Sequence, residues 1–220
     1  QGEKTKVLSE AAAACELGGC DGIALHFQAD DGHIREEDIF AVKGAIRAKL
    51  NIQMALSDKT ITLARTIQPY QVTIVPENGE ETTWEGLSYI KDRMPAIKES
   101  VSQLRDHNIL VSLLVPPDEE AIQLAKECRA DFVQIDTGPY RRARDKVVID
   151  REINRIYAAA NHAVKVGIRV SAGRGLTYDN IMPVLYTRAL EQVNIGEAIV
   201  SRSRSVGFAK AVEEMLDILD

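Results

Sequence analysis

The feature that most constrains this fold is an alternation of short β-branched runs with longer stretches of helical spacing. Most of the short runs are continuously apolar, which is typical of strands covered on both faces in a parallel sheet. The sequence predicts strands at 22–27, 51–56, 71–75, 109–115, 132–136, 168–171 and 192–195. It predicts helices at 5–17, 36–50, 58–68, 87–108, 118–129, 149–166, 179–190 and 206–219.

No linker or low-complexity tract divides the chain, so we expect one α/β domain over residues 1–220. Two architectures accept the pattern, a (β/α)₈ TIM barrel and an open doubly wound sheet. The open sheet usually carries a GxGxxG or GxxxxGK turn after its first strand, and this chain has neither there. Because a helix precedes the first predicted strand, we expect a TIM barrel whose first strand is missing from this chain.

Composition disfavours several classes of protein. No apolar run approaches the roughly 20 residues of a membrane span. The net charge of −6 over 220 residues disfavours nucleic-acid binding, which requires clustered Lys and Arg. Cys15, Cys20 and Cys128 have no CxxC spacing, so we expect reduced thiols in a cytoplasmic protein.

In a barrel, functional residues lie at the carboxyl ends of the strands. His26 ends a predicted strand and could be either structural or catalytic, and His33 in the same loop favours a role in binding. Metal binding has less support, because nothing indicates a further ligand converging on this loop. The other candidates at strand ends are Gln28, Gln53, Pro76, Glu77, 136–138, 173–175, Gly196 and Glu197.

Three further segments suggest binding of an anionic ligand. Glycine turns at Gly175 and Gly196 follow the last two strands, where barrels often bind phosphate through backbone N–H groups. The cluster 82–86, which contains the single Trp, lies in a long predicted loop, and such loops often act as lids. The basic run 139–146 could bind an anion or could be a solvated charged loop.

These motifs together resemble the pyridoxine 5′-phosphate synthase family of vitamin B6 biosynthesis, over essentially the whole chain. The resemblance implies a TIM barrel that condenses 1-deoxy-D-xylulose 5-phosphate with 3-amino-1-hydroxyacetone 1-phosphate, without a metal or organic cofactor. It also implies a homo-oligomer. The matching stretches are CDGIALH (20–26), HIREEDI (33–39), LNIQMA (50–55), IVPE (74–77), TTWEGL (82–87), VSLLVPPDEEAI (111–122), TGPY (137–140), SAGRGLTYDN (171–180) and VNIGEAI (193–199).

The resemblance assigns proton-transfer roles to positions that this chain has partly changed. His26 matches the family's first catalytic histidine. Gln53 stands where the family has glutamate, and Arg174 stands where it has a second histidine. Gln134 replaces a further glutamate. Glutamine has no carboxylate, and arginine stays protonated near neutral pH, so neither can transfer protons in the family's way.

The positions implied for substrate and phosphate binding are also mixed. Glu197 replaces a histidine in the last phosphate turn, and Gln28 replaces an arginine. The family's first strand, with its Asn, Asp, His and Arg, has no counterpart in this sequence. The positions that keep the family identity are His33, Thr83, Gly175 and Gly196.

The substitutions leave two questions open. Arg174 could pair with Glu197 across the last two strands, or it could bind a ligand phosphate through its guanidinium. The protein could be a synthase with altered chemistry, or an inactive paralogue that binds a phosphorylated metabolite or an active synthase. A role in assembly alone is a third hypothesis, but no sequence feature favours it.

Overall fold

A computed structural model describes residues 2–29, 33–76 and 83–219, with only the backbone described for 83–86. The strands are β1 Gly22–Phe27, β2 Lys49–Met54, β3 Gln71–Ile74, β4 Leu110–Val115, β5 Phe132–Asp136, β6 Arg169–Gly173 and β7 Leu190–Asn194. The helices are α1 Gly2–Leu17, α2 Glu36–Ala45, α3 Asp58–Ile67, α4 Thr83–Arg105, α5 Glu119–Glu127, α6 Gly138–Arg142, α7 Lys146–Val166, α8 Ile181–Leu185, α9 Glu197–Val206 and α10 Phe208–Leu219.

The strands form one parallel sheet in the order β1-β2-β3-β4-β5-β6-β7. Each strand pairs with the next one along the chain, whereas a doubly wound sheet reverses its strand order. The sheet is therefore a curled half-barrel, which confirms the predicted barrel class. Among the described strands, β1 and β7 are the two edges and do not pair with each other. An eighth strand of a closed barrel would lie between them.

The two faces of the sheet differ in polarity. Ile52, Val72 and Val111 are register partners and are fully buried on the face that the helices cover. The opposite face, which lines the inside of the half-barrel, carries polar side chains as well as apolar ones. The buried polar residues on this inner face include Asn51, Gln71, Thr73, Ser112, Gln134, Asp136 and Ser171.

Capping residues set several helix ends, of which Asp118 and Gly167 lie where the sequence predicts them. The Asp118 carboxylate accepts hydrogen bonds from the backbone N–H groups of Glu120 and Ala121 at the start of α5. Asp145 caps α7 in the same way. Gly167 ends α7 with φ of +72°, a conformation that glycine adopts without steric cost.

Several predicted boundaries were wrong. The predicted helix 36–50 ends at Ala45, because 49–54 forms β2. The predicted helix 179–190 is only Ile181–Leu185, since 190–194 forms β7. Helix α9 was missed, and the basic run 139–146 includes most of α6 instead of being loop throughout.

The described helices include none long and apolar enough to cross a membrane.

Candidate functional site

The carboxyl end of the sheet brings His26 beside Gln53. The two residues are register partners on β1 and β2, so both side chains point to the inner face of the half-barrel. His26 is exposed, because β1 is an edge strand, whereas Gln53 is half-buried. The Gln53 side chain lies near enough to His26 to influence the pKa of the imidazole. The structure thus places these two predicted site residues together.

Gln134 connects Gln53 to the far edge of the sheet. Its side-chain carbonyl accepts a hydrogen bond from Asn194 Nδ2 at 3.0 Å and a longer one from Gln53 Nε2 at 3.5 Å. Gln134 is 1% exposed, so this amide contact satisfies a deeply buried polar group. The side-chain amides of Gln53, Gln134 and Asn194 thus form a hydrogen-bonded network. None of them offers a carboxylate for proton transfer.

The ionisation of His26 is set by its surroundings. Partial burial is the main cause that lowers its pKa, and the positive charge of Arg174 lowers it further. The nearby Gln53 side chain opposes both effects. Because the net shift is downward from 6.5, the imidazole is mostly neutral at pH 7, and a neutral imidazole can accept a proton.

Arg174 lies across the site from His26 and pairs with Asp136. Its Nη1 is 3.1 Å from Asp136 Oδ2, and the Asp136 side chain is 7% exposed. Asp136 Oδ1 also accepts a hydrogen bond of 2.7 Å from the backbone N–H of Gly138. The carboxylate is therefore bound on both oxygens, which fixes the guanidinium at the carboxyl end of β6.

Thr137 holds the turn that follows β6. Its hydroxyl oxygen lies 2.8 Å from the Gly173 carbonyl oxygen and 2.9 Å from that of Arg174. Its backbone N–H donates to the Gly173 carbonyl as well. These contacts hold Arg174 and Gly175 at φ of +75° and +85°, a conformation that costs a non-glycine residue about 1–2 kcal/mol.

A second ion pair lies above this turn and joins Arg141 to Glu197. Arg141 Nη2 is 2.9 Å from Glu197 Oε1 and 2.8 Å from Oε2. Arg174 and Glu197 thus have different acidic and basic partners, and the predicted pair between them is not formed. The rival hypothesis, that Arg174 binds a ligand phosphate, stays a prediction.

The remaining predicted residues surround this cluster. Gly196 lies just before Glu197 at the start of α9, with φ of −113°. Gln28 is exposed beyond the end of β1. The His33 ring is exposed, and no hydrogen bond or ion pair joins it to the other described site residues, although its backbone carbonyl accepts from Lys4.

Two predictions depend on the segment between β3 and α4. Glu77 lies outside the described residues. Thr83 is the first residue of α4, and its side chain also lies outside them. The predicted loop cluster 82–86 is therefore corrected in part, because 83–86 is helical.

The sequence placed Asp136 among the candidates at strand ends without a specific role, and it assigned no role to Asn194 or Arg141. Asn194 is the last residue of its strand, so the rule that function gathers at carboxyl ends could have found it. Arg141 was counted only as one charge in a basic run, because its contact with Glu197 spans 56 residues. Among the described residues, no group of three or more His, Cys, Asp or Glu side chains could hold a metal ion.

Proteins of one family match nearly the whole of this sequence. The model of the family described as pyridoxal phosphate biosynthesis protein PdxJ matches residues 2–220. A pyridoxine 5′-phosphate synthase from Pelobacter propionicus is 39% identical over 209 residues, which are 95% of this chain and 87% of that protein. One from Nostoc sp. is 39% identical over 205 residues, which are 93% of this chain and 86% of that protein.

Solved structures of lower identity share the fold. Phosphoribosyl anthranilate isomerase from Thermus thermophilus superimposes with a TM-score of 0.63 at 15% identity, over 96% of this chain and 93% of that chain. The Amycolatopsis orientalis BexX/CysO complex gives 0.64 at 10% identity, over 96% and 83%. At such identities the likeness concerns the fold alone.

Proposed function

This chain belongs to the PdxJ family of pyridoxal phosphate biosynthesis proteins, and from that premise we propose that it binds the family's phosphorylated substrates and condenses them slowly. The substrates expected from the family are 1-deoxy-D-xylulose 5-phosphate and 3-amino-1-hydroxyacetone 1-phosphate. The site would lie at the carboxyl end of the sheet. The observation that carries the proposal is the network of His26, Gln53 and Gln134 beside the Asp136–Arg174 ion pair.

The side chains at this end suit binding better than repeated proton transfer. Of the three family acid–base positions, only His26 can take up and release a proton near pH 7. Gln53 can orient a hydroxyl or carbonyl group of a substrate by hydrogen bonds. Arg174 keeps its charge throughout, so it can stabilise a developing anion but cannot act as a general acid.

A paired binding and activity measurement tests this proposal. We expect calorimetry to detect binding of 1-deoxy-D-xylulose 5-phosphate. We expect the rate of pyridoxine 5′-phosphate formation to be about 100-fold or more below that of the Pelobacter propionicus relative, since one acid–base group contributes typically 10²–10⁴-fold. A rate equal to that of the relative would contradict slow catalysis, and no detectable binding would contradict the proposed site.

A second candidate function is a binding protein without turnover. The Asp136–Arg174 pair favours it, because the guanidinium at the second histidine position is bound to a buried carboxylate. The double variant Gln53→Glu/Arg174→His separates the candidates. If altered acid–base groups limit an enzyme, this variant should produce pyridoxine 5′-phosphate faster than the wild type, whereas a pure binding protein stays at the buffer rate. Gln134 is left unchanged, because a carboxylate at that buried position would be costly.

We further propose that the protein works in the cytoplasm as a homo-oligomer, as the family resemblance suggests. Light scattering of the purified chain tests the assembly. A single species at the monomer mass of 24.3 kDa would contradict it.

A further inference from the structure

Arg141 lies directly on the glycine turn that follows β6. A Cβ added to Gly175 would be 2.1 Å from Arg141 Cδ and 2.9 Å from Cγ. The aliphatic part of Arg141 therefore occupies the space that a side chain at this turn would need. Its guanidinium continues to the start of α9, where Nη2 contacts both carboxylate oxygens of Glu197. One side chain thus connects α6, the turn after β6 and the first residue of α9.

We propose that Arg141 is an anion-binding residue of this site and that Glu197 is an internal competitor, which the phosphate group of a small-molecule ligand displaces. This inference rests on the proposed function, since it assumes that the ligand carries a phosphate. A guanidinium binds carboxylate and phosphate through the same forked arrangement of N–H groups. The Glu197 carboxylate holds this position when no ligand is bound.

Replacing Glu197 by a phosphate as the partner of Arg141 costs little free energy, because both side chains are exposed. The side chains of Arg141 and Glu197 are 46% and 71% exposed, and exposed ion pairs add little stability. The displaced Glu197 carboxylate can return to water without leaving a buried charge. The Arg141 stem rests on Gly175, so the guanidinium keeps its place over the turn while its partner changes.

Arg174 is a poorer candidate for this exchange. Its partner Asp136 is 7% exposed and accepts a further hydrogen bond from Gly138. Removing Arg174 from Asp136 would leave a buried carboxylate with one partner fewer, which is costly. The geometry therefore favours Arg141 as the cation that changes partner.

Calorimetric titration of the full chain with inorganic phosphate tests this proposal. We expect Glu197→Gln to bind phosphate about two- to fivefold more tightly, the range that loss of an exposed ion pair supports. We expect Arg141→Gln to bind about tenfold more weakly, because hydrogen bonds to charged groups are the stronger ones. Arg141→Lys should lie between Arg141→Gln and the wild type. The double variant Arg141→Gln/Glu197→Gln should bind as weakly as Arg141→Gln alone.

Two matched variants control for net charge. Lys146→Gln removes one exposed positive charge from the same basic run. Glu191→Gln removes an exposed carboxylate that pairs with Arg169 near the start of β6. Both should stay within about twofold of the wild type, because exposed charges further away are screened by salt.

The outcomes separate this inference from the proposed function. If phosphate binds and Arg141→Gln leaves its affinity unchanged, Arg141 is not a ligand, although the proposed site can still hold. If Glu197→Gln binds phosphate no more tightly than the wild type, Glu197 is not a competitor. If neither the wild type nor any variant binds phosphate, this inference fails, whereas the proposed function is decided by the titration with 1-deoxy-D-xylulose 5-phosphate.

Discussion

The turns after β6 and β7 both carry glycine, but only the first requires it in the folded chain. Gly175 has φ of +85°, and an added Cβ would be 2.1 Å from Arg141 Cδ. Gly196 has φ of −113°, and an added Cβ would meet no described atom within 4 Å. Backbone conformation and crowding therefore both explain glycine at 175, whereas neither explains glycine at 196.

The two glycine turns differ in how tightly their neighbours hold them. The Gly175 turn is fixed by its neighbours, since Thr137, Asn180 and Arg141 all contact it. The Gly196 turn leaves open space above its backbone. The folded backbone thus requires glycine at 175. It does not require glycine at 196, where we instead expect a ligand to approach the backbone closely.

The largest expected effect that tests this difference comes from Gly175→Ala. Alanine must adopt a left-handed conformation, which costs about 1–2 kcal/mol, and its Cβ must push the half-exposed Arg141 stem out of its rotamer, which adds about 0.5–1.5 kcal/mol. We expect the free energy of unfolding to fall by about 2 kcal/mol in urea titration. The double variant Arg141→Ala/Gly175→Ala should recover the steric part only. Full stability in Gly175→Ala would show that this turn is not fixed.

Thr137→Val removes a side-chain hydrogen bond that holds the turn after β6. Valine keeps the shape of threonine but removes the hydroxyl that contacts the carbonyl oxygens of Gly173 and Arg174. The single hydroxyl proton serves one of these acceptors at a time, and the Gly173 carbonyl keeps the backbone N–H of Thr137, so we expect a loss of about 1 kcal/mol in the same titration.

Thr66→Val is the control for that loss, because its hydroxyl bonds an exposed helical carbonyl. It should change stability by less than about 0.5 kcal/mol. Equal losses in both variants would mean that the buried hydroxyl has no special role in the turn.

Arg174→Gln tests whether the β6 turn acts on His26 through charge. Since the Arg174 cation lowers the pKa of His26, neutral glutamine should raise that pKa, as measured by NMR titration of the imidazole. Arg169→Gln, at the other end of β6, should leave the His26 pKa in place. A His26 pKa unchanged by Arg174→Gln would contradict the electrostatic link.

The pH dependence of stability follows with a definite sign. His26 has a lower pKa folded than unfolded, so the unfolded chain binds more protons between the two values. The stability contributed by this group is therefore present above pH 6.5 and lost as the pH falls through the folded pKa. Arg174→Gln should reduce that acid-side loss in urea titrations at matched pH values.

The fold was largely predictable from the sequence because its strands are local apolar runs. The runs at 22–27 and 132–136 match β1 and β5 in both bounds. Helix α9 was not predicted, because Ser and Arg alternate through 201–204 and weaken the apolar pattern. The polar inner face was predicted only at Gln134, through the family resemblance. Ser112 was not predicted, since it faces inward through register with Thr73, which one strand's pattern does not reveal.

The sequence predicted that the candidate residues lie at the carboxyl end of the sheet, but it did not predict which of their side chains pair. The carboxyl-end rule found His26, Gln53 and Arg174. Which acid pairs with which arginine depends on the curvature of the sheet and on side-chain reach. For that reason the sequence could not distinguish Asp136 from Glu197 as the partner of Arg174.

Gly196→Ala is expected to have the smallest effect on stability and completes the comparison. Its φ suits alanine, and open space surrounds the added methyl group, so the free energy of unfolding should change by less than about 0.5 kcal/mol. If a phosphate approaches the backbone here, the methyl group should nevertheless weaken phosphate binding in calorimetry. A variant that is destabilised as much as Gly175→Ala would remove the difference between the turns. One that keeps both stability and phosphate affinity would mean that glycine at 196 serves neither folding nor binding.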